Sequence, residues 1–286
     1  MSCETQNVDV TFNDTTAQSL AFDDATALSL AFDDVVNQNI QCSKFEEAGA
    51  NANPAPEFAG VTSWDWSAKS LSALADSDPV DSWTDRHSGL AVAGSGSARP
   101  TKTTVAGVAA VDYDGADDQL SAAFSPDFST GITVFAVAEH TAGLQYQGVV
   151  MMDGGSSSAS DSTFEIYADR ANAIFKFVSA IDRVSGEEFF HGGIFYNNAR
   201  NMLTAIHGTT SVTGLYKART LVDSTLNAGD GLPEGPSPTR VFVGVGYNAT
   251  PWTGYLYELV IYESTLSEAQ RDEVWGFLES EWGGPF

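Results

Sequence analysis

The sequence predicts an all-β protein: a two-sheet antiparallel jelly-roll sandwich with a C-terminal helix, preceded by an extended or β N-terminal repeat arm. Three observations support this fold class. Short apolar runs follow one another from Ile132 onward, Gly, Asp, Asn and Ser fill the gaps between them, and one helical pattern closes the chain. Regular alternation of this kind is typical of antiparallel strands joined by tight turns.

The N-terminal segment repeats itself every ten residues, as "TFNDTTAQSL AFDDATALSL AFDDVVNQNI" over residues 11–40. Ten residues of helix turn through about 1000°, which would scatter equivalent side chains, whereas an even spacing on a strand returns them to one face. Each unit has too little apolar surface to offset the entropy of ordering it alone. We therefore predict an assembly arm that packs against other parts of this chain, sister subunits or a larger assembly, with a low-complexity tail as the alternative. Its apolar positions are Phe12, Phe22, Phe32, Leu20, Leu30 and Ile40.

A linker follows the repeats. The stretch "EEAGANANPAPEF", residues 46–58, combines Ala, Asn, Gly and Pro, a composition typical of a partly stiff connector. We place the domain boundary there, with an arm and linker over residues 1–58 and a sandwich domain over residues 59–286.

Eight runs are predicted to be strands, and the last of them carries bulky residues on both faces. They are 132–138, 147–152, 163–168, 173–179, 202–207, 212–217, 240–247 and 254–263. In the last run strict alternation places Tyr255, Tyr257, Leu259 and Ile261 on one face and Leu256, Glu258, Val260 and Tyr262 on the other. We expect this strand to be covered on both sides.

The closing helix has a start signal, an apolar stripe and a stop. Ser267 and Gln270 form a capping box, and Gly283 follows the last helical position. Between them the stripe consists of Val274, Leu278 and Trp282, joined by Phe277. We expect the stripe to lie on the sandwich.

The composition is strongly acidic. Asp and Glu number 38 against 13 Lys and Arg, so the formal net charge is -25. Such a surface repels nucleic acid and anionic membranes, and we expect neither as a partner. The N-terminus lacks the basic and apolar regions of a secretory signal. Cys3 and Cys42 flank the repeats; two free thiols are favoured over a bridge between them.

Four stretches from residue 60 onward resemble, in order, the concanavalin A-like lectin/glucanase superfamily, and specifically the laminin-G-like jelly-roll domains common in phage virion proteins and bacterial surface proteins. They are "SWDWSA" with "VDSWTDRHSG", "VDYDGADDQL", "ITVFAVAEH" and the closing strand with its helix. The first contains a Trp, an Asp and a Ser-Gly turn at Trp83, Asp85, Ser88 and Gly89. The resemblance implies two curved antiparallel sheets with binding loops or a concave face. It does not imply a reaction, because the fold hosts lectins, glycosidases and structural modules.

Three groups of residues suggest chemistry, and each also has an ordinary structural explanation or an unsuitable spacing. Retaining glycosidases need two carboxylates about 5–5.5 Å apart, whereas Glu165 and Asp169, four residues apart on one strand, stand about 13 Å apart. The acidic residues Asp112, Asp114, Asp117 and Asp118 could hold calcium, although a turn on so acidic a protein also accounts for them. Trp252, Tyr247 and Asn248 could stack on and bond to a glycan, although a Trp where a strand begins is commonly a packing residue.

These observations lead us to expect a non-enzymatic phage virion structural protein, either a capsid decoration protein or a fibre or tail appendage. It would lie on the virion exterior after synthesis in the host cytoplasm. Its partners would be sister subunits in a homo-oligomer such as a trimer, and other virion proteins, to which the arm adds strands. The alternatives are a carbohydrate-binding lectin for host or surface attachment and, third, a glycoside hydrolase. No cofactor is expected, with calcium as the one candidate.

Overall fold

A computed structural model of the 286-residue chain describes residues 53–141, 147–153, 162–169, 174–182, 187–195, 199–208, 214–223, 238–246 and 249–283. The decamer repeats, with Phe12, Phe22, Phe32, Leu20, Leu30 and Ile40, lie outside these ranges, as do Cys3 and Cys42. The assembly arm and its boundary with the sandwich therefore stay predictions.

Strands make up about half of the described residues, and one α-helix lies at the C-terminal end. The strands are β1 Ser63–Ser67, β2 Ser82–Thr84, β3 Ala91–Ala93, β4 Thr101–Val105, β5 Val108–Asp114, β6 Leu120–Ala123, β7 Ile132–His140, β8 Gln147–Asp153, β9 Ser162–Asp169, β10 Ile174–Asp182, β11 Glu187–Phe195, β12 Asn201–His207, β13 Gly214–Lys217, β14 Thr220–Asp223, β15 Arg240–Val243, β16 Val245–Gly246, β17 Thr250–Pro251 and β18 Thr253–Tyr262. The helix α1 spans Glu268–Trp282, and short 3₁₀ turns occupy Ala68–Leu71 and Phe128–Thr130.

The strands form two large antiparallel sheets and a separate two-stranded ladder of β16 and β17. The first sheet has the order β14-β13-β12-β7-β18-β5-β4, and β1 also pairs with β18. The second sheet has the order β11-β10-β9-β8-β15-β6-β3-β2. Apolar residues of both sheets meet in one buried core. The predicted all-β sandwich with a C-terminal helix is confirmed.

All eight predicted runs contain strands, but the run at residues 240–247 is broken at Gly244. Gly244 has a φ of 83°, and a Cβ there would lie 2.0 Å from the ring of Tyr113. Only glycine meets both requirements, so β15 ends at Val243 and β16 begins at Val245.

The strand β18 is covered on both sides, as expected, but its alternation is interrupted. A register shift lies between Leu256 and Glu258 in its pairing with β7. As a result two consecutive side chains reach the same helix residue: the Tyr257 ring lies 5.7 Å from the Trp282 ring, and Trp282 Nε1 donates to Glu258 Oε2 at 2.6 Å. Strict alternation wrongly placed Tyr257 on the face opposite Glu258, because a bulge adds one residue to the strand.

The helix α1 packs on the first sheet as its sequence predicts. Ser267 and Gln270 form both bonds of the capping box, and Gly283 takes the left-handed conformation that ends the helix. Val274, Leu278 and Trp282 are buried, whereas Phe277 is only partly buried; Trp275, which the predicted stripe omitted, is buried instead. Trp275 Nε1 donates to Thr204 Oγ1 at 2.8 Å, which fixes the helix over β12. Within the ranges given above, no helix has the length and apolar character needed to cross a bilayer.

Residues 53–58, the described part of the predicted linker, contact the sandwich. Ala55 is buried, and its backbone N–H donates to Asp65 Oδ2 at 2.6 Å. The Tyr262 hydroxyl donates to the Pro56 carbonyl at 2.7 Å, and the Phe58 ring lies 5.5 Å from that of Tyr262. The chain is therefore attached to the outer face of the first sheet before β1 begins.

Candidate functional site

A tyrosine between two carboxylates lies on the face of the first sheet that α1 packs against, beyond the end of the helix. Tyr255 on β18 is the direct cross-strand neighbour of Asp112 on β5 and of Glu139 on β7. All three side chains are partly exposed, whereas the flanking Val111 and Tyr113 point into the core. We call Asp112, Tyr255 and Glu139 the Tyr255 row.

The electrostatics of the Tyr255 row keep its phenol neutral. Burial, followed by the charges of Asp112 and Glu139, raises the pKa of Tyr255. Burial and the nearby charge of Asp114 raise the pKa of Asp112. The row thus offers an aromatic ring and a phenol donor, flanked by two carboxylates that accept hydrogen bonds. Sugars present apolar C–H faces and many hydroxyl donors, so this combination suits a saccharide.

Beside the row, Tyr257 is a second tyrosine in contact with an acid, but it is not arranged for catalysis. Its hydroxyl donates to Glu139 Oε2 at 3.1 Å, and the Arg200 guanidinium lies 4.4 Å from its ring centre. The side chain is fully buried, and burial raises its pKa. A nucleophilic phenol would need access to substrate and a lowered pKa, so Tyr257 instead holds Glu139 in place.

The carboxylates considered for hydrolysis are enclosed in the second sheet. Glu165 and Asp169 on β9 are 2% and 1% exposed. A Cβ added to Gly246 would lie 2.3 Å from Glu165 Oε1, so β16 lies directly against this carboxylate. Neither group faces a surface that a polysaccharide could reach.

Three of the four acids proposed for calcium come together. Ligand atoms of Asp114, Asp117 and Asp118 all lie within 4.8 Å of one another in the turn after β5. Asp112 does not join them, because it lies within β5 and faces Tyr255 rather than belonging to the turn. Asp118 accepts from the Asp114 backbone N–H at 2.8 Å, and Ser97 Oγ donates to Asp117 Oδ2 at 2.7 Å. Calcium binding here stays a prediction.

The turn gives a prediction about pH. Burial, together with the charges of Asp114 and Asp117, raises the pKa of Asp118 from 3.8 to about 6. The Asp118 carboxyl therefore binds its proton more tightly in the folded state than in the unfolded chain. The stability that this proton contributes is lost as pH rises through about 6. Asp118→Asn should raise the free energy of unfolding at pH 8 by about 1–3 kcal/mol and change little at pH 4.

Urea unfolding at the two pH values measures this effect. Asn keeps an oxygen that can accept from Asp114, so the comparison isolates the charge. Glu273→Gln, which removes an exposed carboxylate of α1, is the matched control. If Asp118→Asn raised the free energy of unfolding equally at both pH values, the raised pKa of Asp118 would not be the cause.

Trp252, one of the candidate glycan-binding residues, lies in the protein core. Its side chain is 0% exposed, and its ring contacts those of His140 and Phe175 at 5.2 and 6.0 Å. Of the two roles considered for Trp252, the structure shows the packing role: the short β16–β17 ladder leads Trp252 into the core, where its backbone N–H donates to the Gly244 carbonyl at 2.8 Å. Tyr247 and Asn248 lie outside the described residues.

A buried ionic cluster joins β1, β18 and α1, and sequence reasoning missed it. Arg86 Nη2 donates to Asp65 Oδ2 at 2.6 Å and to Glu258 Oε1 at 2.8 Å. Burial raises the pKa of both acids; the charge of Asp65 raises that of Glu258 further, while Arg86 opposes the shift in each. One guanidinium faces two carboxyls that water does not reach, which makes the cluster a structural element rather than a substrate site.

The Trp-Asp-Ser-Gly stretch has a structural role as well. Asp85 accepts hydrogen bonds from the backbone N–H groups of Asp65, His87 and Leu90, and from Ser88 Oγ at 2.6 Å. Gly89 has a φ of 79°, which the turn requires. These residues position Arg86 beneath β1.

Comparisons with known proteins identify the fold of this chain but no family. Neither protein-family models nor curated sequences gave a match. Among solved structures, Trypanosoma rangeli sialidase in complex with sialic acid is similar with a TM-score of 0.53 and 11% identity, over 82% of this chain and 37% of the sialidase chain. The receptor binding domain of botulinum neurotoxin C/D mosaic serotype gives 0.52 and 10%, over 70% of this chain and 50% of that one. The chain spans about a third of the length of the sialidase chains, and at these identities the likeness shows a lectin-like β-sandwich fold alone.

Proposed function

We propose that this protein binds carbohydrate on its β-sandwich without hydrolysing it. The observation that carries the proposal is the Tyr255 row: a partly exposed aromatic ring between two carboxylates on a rigid sheet face. Stacking of a sugar on the ring and hydrogen bonds from its hydroxyls to Asp112 and Glu139 would use all three side chains.

The similar structures support this interpretation at the level of fold. One of them was solved with sialic acid, a sugar, and another is a receptor binding domain. Binding on a related scaffold is therefore a reasonable expectation for this chain, although the residues involved must be its own.

The same geometry argues against a retaining hydrolysis at the described carboxylates. Glu165 and Asp169 are enclosed, and so are Asp65 and Glu258. The partly exposed pair Asp112 and Glu139 is separated by the strand that carries Tyr255, so the backbones stand about 10 Å apart. That spacing suits the two ends of a bound saccharide better than a retaining pair.

Binding of the full-length chain to a panel of immobilised polysaccharides and oligosaccharides tests the proposal. Tyr255→Ala should weaken binding of the best ligand about tenfold, because the stacking surface is lost. Leu221→Ala is the matched control: Leu221 is 46% exposed on β14, the edge strand of the same sheet, which three strands separate from β18. Absence of binding to every saccharide, or equal loss in both variants, would reject the proposal.

A second candidate is the virion structural protein, and the decamer repeats favour it. Residues 11–40 contain three units that cannot bury their Phe and Leu side chains within a single unit. In that role the arm would hold the protein on a particle or on sister subunits, while the sandwich projects outward. Deleting residues 1–45 separates the two roles, since it should abolish assembly and leave saccharide binding intact.

A further inference from the structure

We infer that the Tyr255 row selects amino sugars, whose ring carries a protonated amine, over neutral and anionic sugars. This inference rests on the proposed function and adds the class of ligand. It comes from the charges around Tyr255, which differ from those that an acidic sugar such as sialic acid would require.

The charges beside the ring are negative. Asp112 and Glu139 flank Tyr255 directly on the neighbouring strands, and Asp114 lies close enough to Asp112 to raise its pKa. A ligand carboxylate placed on the ring would meet two like charges at the distance of adjacent strands. A ligand ammonium in the same position would form charge-assisted hydrogen bonds with one or both acids.

Arg200, a cation beside the Tyr255 row, already has partners within the protein. Arg200 lies over the Tyr257 ring at 4.4 Å and donates from Nη1 to the Trp282 carbonyl at the end of α1. Its Nε is buried within the protein. Arg200 therefore contacts Tyr257 and the helix end, and neither its engaged Nη1 nor its buried Nε is free for the two-point contact that a sugar carboxylate would make with them.

The charge of the whole chain acts in the same direction. With a formal net charge of -25, the protein repels anionic polymers at a distance and attracts cationic ones. Any acidic surface would share this long-range attraction. A short ligand, and variants that change only the charges of the Tyr255 row, separate the effect of the row from that of the net charge.

The decisive experiment compares three short oligosaccharides on the full-length chain by isothermal titration calorimetry. The probes are a glucosamine trimer, the N-acetylglucosamine trimer and sialyllactose, used at about pH 6.5, where the sugar amine is largely protonated. The glucosamine trimer should bind at least about tenfold more tightly than the N-acetylated trimer, and sialyllactose more weakly than either. The advantage should shrink severalfold at about 0.5 M salt.

Variants then assign the preference to the row. Asp112→Asn and Glu139→Gln should each reduce the glucosamine advantage to about threefold or less. Both residues belong to the binding site, so affinity for the N-acetylated trimer should also fall, but by less than affinity for the glucosamine trimer, because the amide oxygen still accepts from sugar hydroxyls. Glu273→Gln is the matched control, because it removes one exposed charge of α1. The charge of Glu273 acts on Tyr262, at the other end of β18 from Tyr255, so this variant should leave the advantage unchanged.

The outcomes separate the two proposals. Tighter binding of sialyllactose or of the N-acetylated trimer would overturn the amino-sugar preference while carbohydrate binding stands. An equal effect of Glu273→Gln and Asp112→Asn would also overturn it, because the preference would then come from net charge alone. Failure of all three probes together with the wider saccharide panel would overturn both.

Discussion

Replacing Arg86 with methionine should lower the free energy of unfolding by about 3–5 kcal/mol. The substitution leaves the Asp65 and Glu258 carboxyls, both enclosed, without the guanidinium that contacts them at 2.6 and 2.8 Å. The loss should be larger at pH 8 than at pH 5, because raised pKa values let both acids take up protons as pH falls. Urea unfolding at the two pH values measures it.

Two further variants decide whether the charge is responsible. Arg99→Met removes an exposed ion pair with Asp81 and should cost at most about 1 kcal/mol. Adding Asp65→Asn and Glu258→Gln to Arg86→Met should recover much of the lost stability, since no buried charge is then left alone. A triple variant as unstable as Arg86→Met alone would show that packing of the arginine stem, rather than charge, accounts for the effect.

Replacing Trp252 with alanine should cost about 3–5 kcal/mol of unfolding free energy, the usual loss for a large buried aromatic residue. The ring is 0% exposed and packs between His140 and Phe175, so its removal leaves a cavity where β18 begins. Trp252→Phe should cost less, because Trp252 Nε1 has no hydrogen-bond partner among the described residues and phenylalanine keeps most of the packing. Thermal or urea unfolding of both variants checks these values.

Comparing Trp252 with Tyr255 separates a core residue from a binding residue three positions away. Trp252→Ala should reduce stability while the folded protein keeps its saccharide affinity. Tyr255→Ala should do the reverse, with a stability change within about 1 kcal/mol because its side chain is partly exposed. If the folded Trp252→Ala protein lost saccharide affinity well below its melting temperature, the glycan site would lie at Trp252, Tyr247 and Asn248 instead of at Tyr255.

The fold could be predicted because its signals are local. The capping box at Ser267 and Gln270 and the glycine stop at Gly283 are read directly from neighbouring residues, and both form as predicted. The bulge near Tyr257 could not be predicted, because it depends on the register of β18 against β7. The same holds for the break at Gly244, which is forced by the ring of Tyr113 from a distant strand.

The candidate site depended even more on long-range pairing. Asp112 and Glu139 stand out in sequence as acids within apolar strands, a signal that was available, but only the register places them on either side of Tyr255. Trp252 and Tyr255 show how little the local pattern says about exposure. Trp252, a candidate for either glycan stacking or packing, is enclosed, whereas Tyr255, in the middle of an apolar run, reaches the surface.

The attachment of residues 55–58 has a mechanical consequence. A pull applied to the chain on the N-terminal side of residue 53 meets the Ala55 bond to Asp65 and the Pro56 bond from Tyr262 before it reaches β1. Next along the chain is the antiparallel pairing of β1 with β18, which has five paired positions from Ser63 opposite Tyr262 to Ser67 opposite Glu258. If the N-terminal segment serves as a tether, tension along it loads several bonds at once at the edge of the sandwich, and the sheet interior is shielded until those bonds rupture.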